Sequence, residues 1–156
     1  MLHLNGTALP AIDELIVMVF RLSGGLLDGG SRLVKDIGIT PAWWQVMGAL
    51  ALSPVPLTVP QIARNMGLTR QSVQRIVDLL LDKGFVELEA NPHHRRAKLV
   101  RMSAKGLGVY REAEERQRPW AASLSEGLDP DALQTAIAIL RAVDLKLAQQ
   151  KGAVED

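Results

Sequence analysis

Apolar residues recur every three to four positions near the start of the chain. After Pro10, this pattern comprises Ile12, Leu15, Ile16, Val19 and Leu22. The spacing places these side chains on one stripe and predicts an amphipathic helix. Glycine pairs at 24–25 and 29–30 then lower helix propensity by about 1 kcal/mol per glycine relative to alanine. We therefore expect a kink or a close helix crossing at these pairs, with the helix continuing beyond them.

A second helix has clear boundaries in the sequence. Thr40 supplies a capping hydroxyl, and Pro41 favours the first position of a helix. The helix is expected to reach about Leu52, because Ser53 and Pro54 then stop it.

A short third helix and a tight turn come next. Thr58 and Gln61 have the spacing of a capping box, in which each side chain satisfies a backbone N–H of the other residue. Gly67 stands where a left-handed residue ends a helix. Thr69 then caps the following helix, so only a tight turn separates the two. This connection is typical of a helix-turn-helix pair.

The fourth helix has an apolar and a polar face. The apolar stripe consists of Val73, Ile76, Val77 and Leu80. The polar face carries arginine and glutamine in its first half and the acids Asp78 and Asp82 in its second half. Arginine suits the acceptors of guanine, glutamine suits adenine, and a recognition helix presents its N-terminal half to the bases. The predicted DNA-binding residues of this helix are Thr69, Arg70, Gln71, Ser72, Gln74 and Arg75.

Two segments of alternating apolar and polar residues predict a hairpin. They cover residues 85–89 and 98–102, with a turn-forming segment at 91–96 between them. The turn ends in two arginines, which gives the hairpin a basic tip. The residues of this tip that we expect to contact a polyanion such as DNA are His94, Arg95, Arg96 and Lys98. Ser103 then caps a long helix to about Ser125.

A last helix opens at Asp129 and Pro130. Its apolar positions are Leu133, Ile137, Leu140, Val143 and Leu147. A long apolar stripe at the end of the chain favours helix pairing, so we expect the terminal helices to take part in dimerisation.

Charge is unevenly distributed although the whole chain carries a net charge of only +1. The net charge is −1 over residues 1–59, +5 over 60–110 and −3 over 111–156. Within 90–110 there are five lysines and arginines and no acid. A basic segment between acidic flanks indicates a site for a polyanion.

The sequence disfavours several other classes of protein. It has no cysteine, and its histidines, at positions 3, 93 and 94, lack the spacing of a helical zinc site. No nucleophile elbow or paired-carboxylate setting is visible. We therefore expect no enzyme activity, no metal and no cofactor.

The start of the chain favours a cytoplasmic protein. The longest apolar run near the N-terminus, 15–20, is too short to span a membrane, and residues 1–9 lack the features of a secretory signal.

The order of these elements, together with local motifs, resembles the MarR family of transcriptional regulators. The matching motifs are residues 80–86, Asn91–Pro92 leading to Arg95–Arg96, Leu99, and 103–106. The resemblance implies a mainly α fold with a small β-hairpin: a winged helix-turn-helix flanked by N- and C-terminal dimerisation helices. It also implies a homodimer that inserts its recognition helices into successive major grooves of a palindromic DNA operator and its wing tips into the minor groove.

The resemblance also predicts a division of the chain. We expect one domain over 1–156, with a DNA-binding lobe at 40–103 and a dimerisation region at 8–36 and 104–150.

One position departs from the family pattern. An aspartate usually precedes the first wing arginine, and this sequence has His94 there. The aspartate–arginine pair that shapes the wing in the family therefore cannot form. Histidine gains charge on mild acidification. The hypothesis that follows is that DNA affinity rises between about pH 7.5 and pH 6, and equal affinities at the two values would reject it.

Two readings remain open for the aromatic and methionine residues Met18, Trp43, Trp44 and Met47. Such side chains commonly fill helix junctions in a core. The resemblance instead implies an effector crevice between the dimerisation helices and the DNA-binding lobe, bordered by the two tryptophans. An aromatic or apolar small molecule bound there would favour a dimer spacing mismatched to DNA and would release a repressor.

The sequence leaves two functions in competition. The first is a sequence-specific regulator of transcription that binds double-stranded DNA. The second is a winged-helix protein-interaction module that has lost operator recognition. The basic hairpin favours the regulator, and the salt dependence of DNA binding distinguishes the two.

Overall fold

The fold is that of a computed structural model, which describes residues 3–4, 7–8, 10–94 and 96–152, with side chains for 10–94 and 96–150. Six α-helices and five short strands follow one another in the described chain. In order they are β1 His3–Leu4, β2 Thr7–Ala8, α1 Ala11–Val34, a 3₁₀ turn Lys35–Ile37, α2 Pro41–Ala51, β3 Leu57–Thr58, α3 Val59–Met66, α4 Arg70–Asp82, β4 Val86–Glu89, β5 Leu99–Met102, α5 Ala104–Ser125 and α6 Pro130–Gly152. This architecture confirms the predicted mainly helical winged helix-turn-helix with a small β-hairpin.

Helix α1 is unbroken through both glycine pairs. The expected close helix crossing occurs at the second pair, where Gly29 and Gly30 are buried. A Cβ atom built on Gly30 would lie 3.8 Å from the ring of Trp44 in α2. At Gly24 and Gly25 no atom outside the local helix backbone comes within 4 Å of such a Cβ. Within the described chain no close crossing occurs at this first pair, so the crossing is seen only at Gly29 and Gly30.

The sheet has three strands in the order β3–β5–β4, all antiparallel. The two-stranded hairpin is as predicted, with Leu88 opposite Val100. The sequence prediction missed β3, a two-residue strand that pairs Leu57 with Val100 on the other side of β5. Because Val100 is fully buried between these neighbours, β3 fixes the hairpin to the start of α3.

The core joins α2, α3, α4 and the sheet. Its largest fully buried side chains are Met47, Ile62, Leu80, Val34, Val46, Val73, Val77 and Val100. The predicted inward stripe of α4 is confirmed, since all four of its residues are buried. Burial of a side chain of this size contributes about 1.5–3 kcal/mol, so this stripe fixes how α4 is rotated about its own axis.

A short hydrogen-bonded junction joins the end of α4 to the start of α5. The Ser103 hydroxyl donates to the Gly84 carbonyl at 2.7 Å and accepts from the Gly106 N–H at 3.0 Å. The Ser103 N–H donates to the Phe85 carbonyl at 3.0 Å. Gly84 has the positive φ of 70° that lets the chain turn out of α4. One serine thus caps α5 and holds it against the end of the preceding helix.

The chain forms two compact units, residues 1–118 and 119–156, which divide within α5 at Pro119. The second unit contains the last turns of α5, a turn with Gly127 at a φ of 75°, and α6. Asp129 caps α6 by accepting from the N–H groups of Asp131 and Ala132. Of the side chains described in this unit, none is buried. The predicted division into a lobe and a dimerisation region stays a prediction.

In the part of the chain that the structure describes, no helix is both long and apolar enough to cross a bilayer. The same residues contain no group of three or more acidic or histidine side chains placed to hold a metal ion.

Candidate nucleic-acid interface

The start of α3 is fixed by the capping box predicted from the sequence. The Thr58 Oγ1 accepts from the Gln61 N–H at 3.4 Å, and the Gln61 Oε1 accepts from the Thr58 N–H at 2.8 Å. The helix ends at Gly67, whose φ of 64° is left-handed. The Leu68 N–H then donates to the Ala63 carbonyl at 2.9 Å, which closes the tight turn into α4. The helix-turn-helix geometry therefore comes from residues within ten positions of one another.

Thr69 begins α4 as a side-chain cap. Its Oγ1 accepts a hydrogen bond of 3.1 Å from the Ser72 N–H. The hydroxyl hydrogen remains available to donate, and the positive end of the helix dipole lies at the same place. Thr69 therefore both fixes the N-terminus of α4 and can bind a phosphate oxygen there.

The outward face of α4 is accessible to DNA. Every predicted contact residue of this helix is exposed: Thr69, Arg70, Gln71, Ser72, Gln74 and Arg75. The buried stripe on the opposite side keeps these polar side chains turned to solvent. The face also carries the exposed Asp78, in the acidic second half of the helix.

The structure brings the recognition helix and the hairpin to a common groove of about 560 Å³. Its polar lining consists of Arg70, Gln71, Gln74, Arg96 and Lys98. Apolar residues from α3, α4, both hairpin strands and the turn between them complete it, namely Val59, Pro60, Val77, Leu88, Ala97 and Val100. Three cations from two separate elements therefore line one concave surface, which suits a phosphate backbone or a groove edge of DNA.

A second groove, of about 600 Å³, lies along α4 and is more acidic. It is lined by Gln71, Gln74, Arg75, Asp78, Leu79 and Asp82. Gln71 and Gln74 line both grooves and so form the ridge between them. Arg75 lies on the side away from the hairpin, which separates it from the cations of the first groove.

The wing turn is held by hydrogen bonds between its own residues. The Asn91 Oδ1 accepts from the His93 N–H at 3.0 Å, and the Asn91 carbonyl accepts from the His94 N–H at 3.3 Å. His94, Arg96 and Lys98 are exposed, as a DNA-contacting wing requires. Arg95, the remaining predicted wing contact, lies outside the described residues.

The basic segment contributes fewer free cations than its sequence suggests. Arg101 forms ion pairs with Glu87 and Glu89 of the neighbouring strand β4. The Lys105 ammonium donates to the Lys83 carbonyl at 2.8 Å and lies 5.1 Å from the centre of the Phe85 ring. Counting charges along the sequence missed these partners because they come from across the sheet and from the α4–α5 junction.

The residues predicted to line an effector pocket lie in different surroundings. Met47 is completely buried in the core, and both tryptophans are partly buried against it. Met18 is 39% exposed on α1. Trp44 lies beside Gly30 of α1. Met18 comes twelve residues before Gly30, which is a distance of about 18 Å along a helix. The core reading therefore holds for Met47, and a pocket that includes Met18 stays a prediction.

Arg116 of α5 forms hydrogen bonds with residues at and just after the end of α1. Its guanidinium donates to the Leu33 carbonyl at 3.1 Å, to the Asp36 carboxylate at 2.8 Å and to the Glu112 carboxylate at 2.7 Å. The hydrogen bond from Arg116 is the largest cause that lowers the pKa of Asp36 below its ordinary 3.8. A backbone hydrogen bond and the Arg116 charge add to it.

Tyr110 of α5 lies against α2 with an exposed fraction of 8%. A Cβ atom on Gly48 would lie 3.7 Å from its hydroxyl oxygen, so the ring packs closely on the α2 backbone. Burial, followed by the hydrogen bond and the charge of Glu114, raises the pKa of Tyr110 to about 12.

Comparisons with known proteins agree with this geometry. A family model described as the MarR family matches residues 37–97. An uncharacterised protein of Mycobacterium tuberculosis (strain ATCC 25618 / H37Rv) is 36% identical over 140 residues, which cover 90% of this chain and 96% of that protein. The transcriptional activatory protein BadR of Rhodopseudomonas palustris is 27% identical over 100 residues, covering 63% of this chain and 57% of BadR.

Solved structures share the fold. CouR from Rhodococcus jostii RHA1, bound to p-coumaroyl-CoA, has a TM-score of 0.77 and 19% identity, covering 88% of this chain and 96% of CouR. The transcriptional repressor CouR bound to a 23-mer DNA duplex has a TM-score of 0.71 and 20% identity, covering 87% of this chain and 99% of that one. With the family-model match and the relative that is similar over almost its whole length, these likenesses show that the chain belongs to the MarR family of transcriptional regulators.

Proposed function

We propose that the chain forms a homodimer whose two copies of α4 read the half-sites of a palindromic DNA operator, with the hairpins contacting the flanking backbone. The observation that carries this proposal is the shared groove, which joins Arg70 of α4 to Arg96 and Lys98 of the hairpin. In a two-fold dimer the recognition helices would lie about 34 Å apart, one turn of DNA. The proposed place of action is the cytoplasm.

The exposed apolar surface of α1 supports the homodimer. Its exposed apolar residues are Ile12, Ile16, Val17, Met18, Val19, Phe20, Leu22, Leu26 and Leu27. In the second unit, Leu133, Leu140 and Leu147 of the predicted α6 stripe are between 42% and 53% exposed. Apolar surfaces of this extent are rarely left in water, and a second copy of the chain can cover them.

Base reading is assigned to α4 and backbone binding to the hairpin. Arg70 and Arg75 present guanidinium groups that can pair with guanine, and the two glutamines on the ridge can pair with adenine. The wing cations lie outside the recognition helix and would bind the phosphate backbone.

We further propose that DNA binding represses transcription and that a small aromatic or apolar molecule releases it. The CouR structures support this, since one holds p-coumaroyl-CoA and the other shows a repressor on DNA. The name of BadR describes it as an activator. A reporter gene placed behind the selected operator therefore tests whether this protein represses or activates transcription. Higher reporter output in the presence of the protein would overturn repression and leave DNA binding intact.

The test of DNA binding begins with a random DNA pool, from which the purified protein selects its operator. Binding is then titrated at two salt concentrations for the wild type and for R70A/R75A. If six to ten phosphates are contacted, wild-type affinity falls by about 10³- to 10⁵-fold between 50 and 200 mM salt. The double variant should lose the preference for the operator.

A matched control separates base reading from charge. R70K/R75K keeps both positive charges but replaces the rigid, planar guanidinium fork that matches the two acceptors of guanine by a flexible ammonium group. It should retain affinity for random DNA and show a weaker operator preference than the wild type, whereas R70A/R75A should lose about 5- to 150-fold for each guanine read. If no sequence is selected, or if binding ignores both double variants, the protein-interaction alternative replaces the regulator.

The effector proposal is tested by tryptophan fluorescence in W120F, which leaves Trp43 and Trp44 as the only tryptophans of the chain. A panel of aromatic acids and their thioesters is titrated with and without the operator duplex. An effector should change the emission saturably and weaken operator binding over the same concentration range. Compounds that change neither signal would contradict a pocket beside these tryptophans.

A further inference from the structure

The side chains of Gln74 and Asp78 are joined on the outward face of α4. The Gln74 Nε2 donates a hydrogen bond of 2.8 Å to the Asp78 Oδ1, one helical turn further along. Both side chains are exposed, so this bond is not needed to satisfy a buried polar group. It sets the orientation of a side chain that faces solvent.

This hydrogen bond fixes which end of the Gln74 amide, the nitrogen or the oxygen, points towards Asp78. A glutamine amide has two donors on its nitrogen and one acceptor oxygen, and turning it over exchanges the two ends. An ionised carboxylate only accepts hydrogen bonds, so Asp78 holds the nitrogen end towards itself. The carbonyl oxygen of Gln74 is thereby left on the side away from Asp78.

What Gln74 still offers is one N–H and one carbonyl oxygen. Adenine shows the complementary pair in the major groove, the N7 acceptor beside the N6 donor. Guanine shows two acceptors, N7 and O6, which would place an acceptor against the Gln74 oxygen. The fixed amide therefore favours an A·T pair over a G·C pair.

Gln74 lies where it can contact a base edge, and Asp78 lies one helical turn further along α4. Gln74 lines both grooves and belongs to the ridge between them, whereas Asp78 lines the second groove with Asp82. We propose that Asp78 is a positioning residue that fixes Gln74 to read one adenine in each operator half-site. This inference rests on the proposed function.

Asp78 should have two opposite effects on DNA binding. Its negative charge repels phosphates, so removing it should strengthen binding to DNA of any sequence. Removing it also frees the Gln74 amide to turn over, which should weaken the preference for adenine. A merely repulsive acid would produce the first effect without the second.

The experiment measures the affinity of D78A and D78N for the selected operator and for duplexes in which each half-site base pair is replaced in turn. Q74A should lose about 5- to 150-fold of discrimination at one base pair per half-site. D78A and D78N should lose about threefold or more at that same base pair, while binding random DNA at least as tightly as the wild type.

Two controls make the result specific. D82N removes an equal charge two turns from Gln74 and should keep the wild-type discrimination. In a Q74A background, D78A should change discrimination no further, because the residue that it positions is gone. Circular dichroism melting checks that each variant is folded.

The outcomes separate the inference from the proposed function. The inference is overturned if D78A and D78N discriminate between base pairs as well as the wild type does. It is also overturned if D82N loses as much discrimination, or if D78A causes a further loss in the Q74A background. In each of these cases, operator binding that still depends on Arg70 and Arg75 would leave the proposed regulator intact. A wild-type protein that selects no operator overturns both.

Discussion

The backbone of Gly106 lies so close to Phe85 that a Cβ atom on Gly106 would stand 1.9 Å from the Phe85 carbonyl oxygen. The carbonyl carbon would be 2.8 Å away. The same carbonyl accepts the Ser103 N–H, so it cannot move without breaking the junction between α4 and α5. The close contact therefore requires glycine at position 106.

We expect G106A to lower the free energy of unfolding by about 3 kcal/mol, because either the backbone or the junction hydrogen bonds must shift. The matched control is G108A in the same helix, where a new Cβ would meet nothing within 4 Å. That substitution should raise stability by about 1 kcal/mol through helix propensity. Urea denaturation measures both, and equal effects of the two alanines would contradict the steric account.

The ion pair between Asp36 and Arg116 predicts a dependence of stability on pH. The folded state lowers the pKa of Asp36 below its ordinary 3.8, so folding is stabilised when the carboxyl is ionised. This stabilising contribution is fully present at a pH above the ordinary pKa of Asp36. It is lost as the pH falls through the lower pKa that Asp36 has in the folded protein. Wild-type stability should therefore drop more steeply than that of D36N when the pH falls below about 4. Denaturant titrations at several acidic pH values compare the slopes, and parallel curves would show that the pair contributes nothing.

Tyr110 can be titrated without interference because it is the only tyrosine in the chain. Burial and Glu114 raise its pKa to about 12, so the ultraviolet absorbance of tyrosinate should appear well above pH 10 in the folded protein. E114Q should bring the transition to lower pH, since the Glu114 hydrogen bond and charge both favour the neutral phenol. A transition near pH 10 in the folded wild type would mean that the ring is not held against α2.

A single charge in the apolar face of α1 should prevent dimerisation. Phe20 has an exposed fraction of 75%, so F20D costs little in a lone chain but buries a carboxylate in the proposed interface. Sedimentation velocity should show a monomer for F20D and a dimer for the wild type. The control L52D changes a side chain that is 83% exposed in the loop after α2 and should remain dimeric. A dimeric F20D would exclude this face of α1 as the interface.

Local chemistry explains why the helix-turn-helix was predictable. Thr58, Gly67 and Thr69 mark the ends of α3 and α4 through hydrogen bonds and a left-handed φ that involve only near neighbours. The inward stripe of α4 also follows from the spacing of its apolar residues alone. These features need no knowledge of the rest of the chain.

Long-range contacts explain what the sequence could not show. β3 is only two residues long and becomes a strand because β5 pairs with it. The need for glycine at position 106 arises from Phe85, which lies twenty-one positions earlier. The ion pairs of Arg101 depend on the register between β4 and β5. The bond between Gln74 and Asp78 had a visible signal in its spacing of four, but the spacing does not reveal that the two side chains meet.

The two faces of α4 have separable roles. Substitutions on the buried stripe act on stability, whereas Gln71, Gln74 and Arg75 reach solvent and have little part in holding the fold together. Under the proposed function, a few point mutations on the exposed face can therefore change which operator is recognised without unfolding the protein. Duplicated copies of such a gene could diverge to control separate promoters while keeping one scaffold.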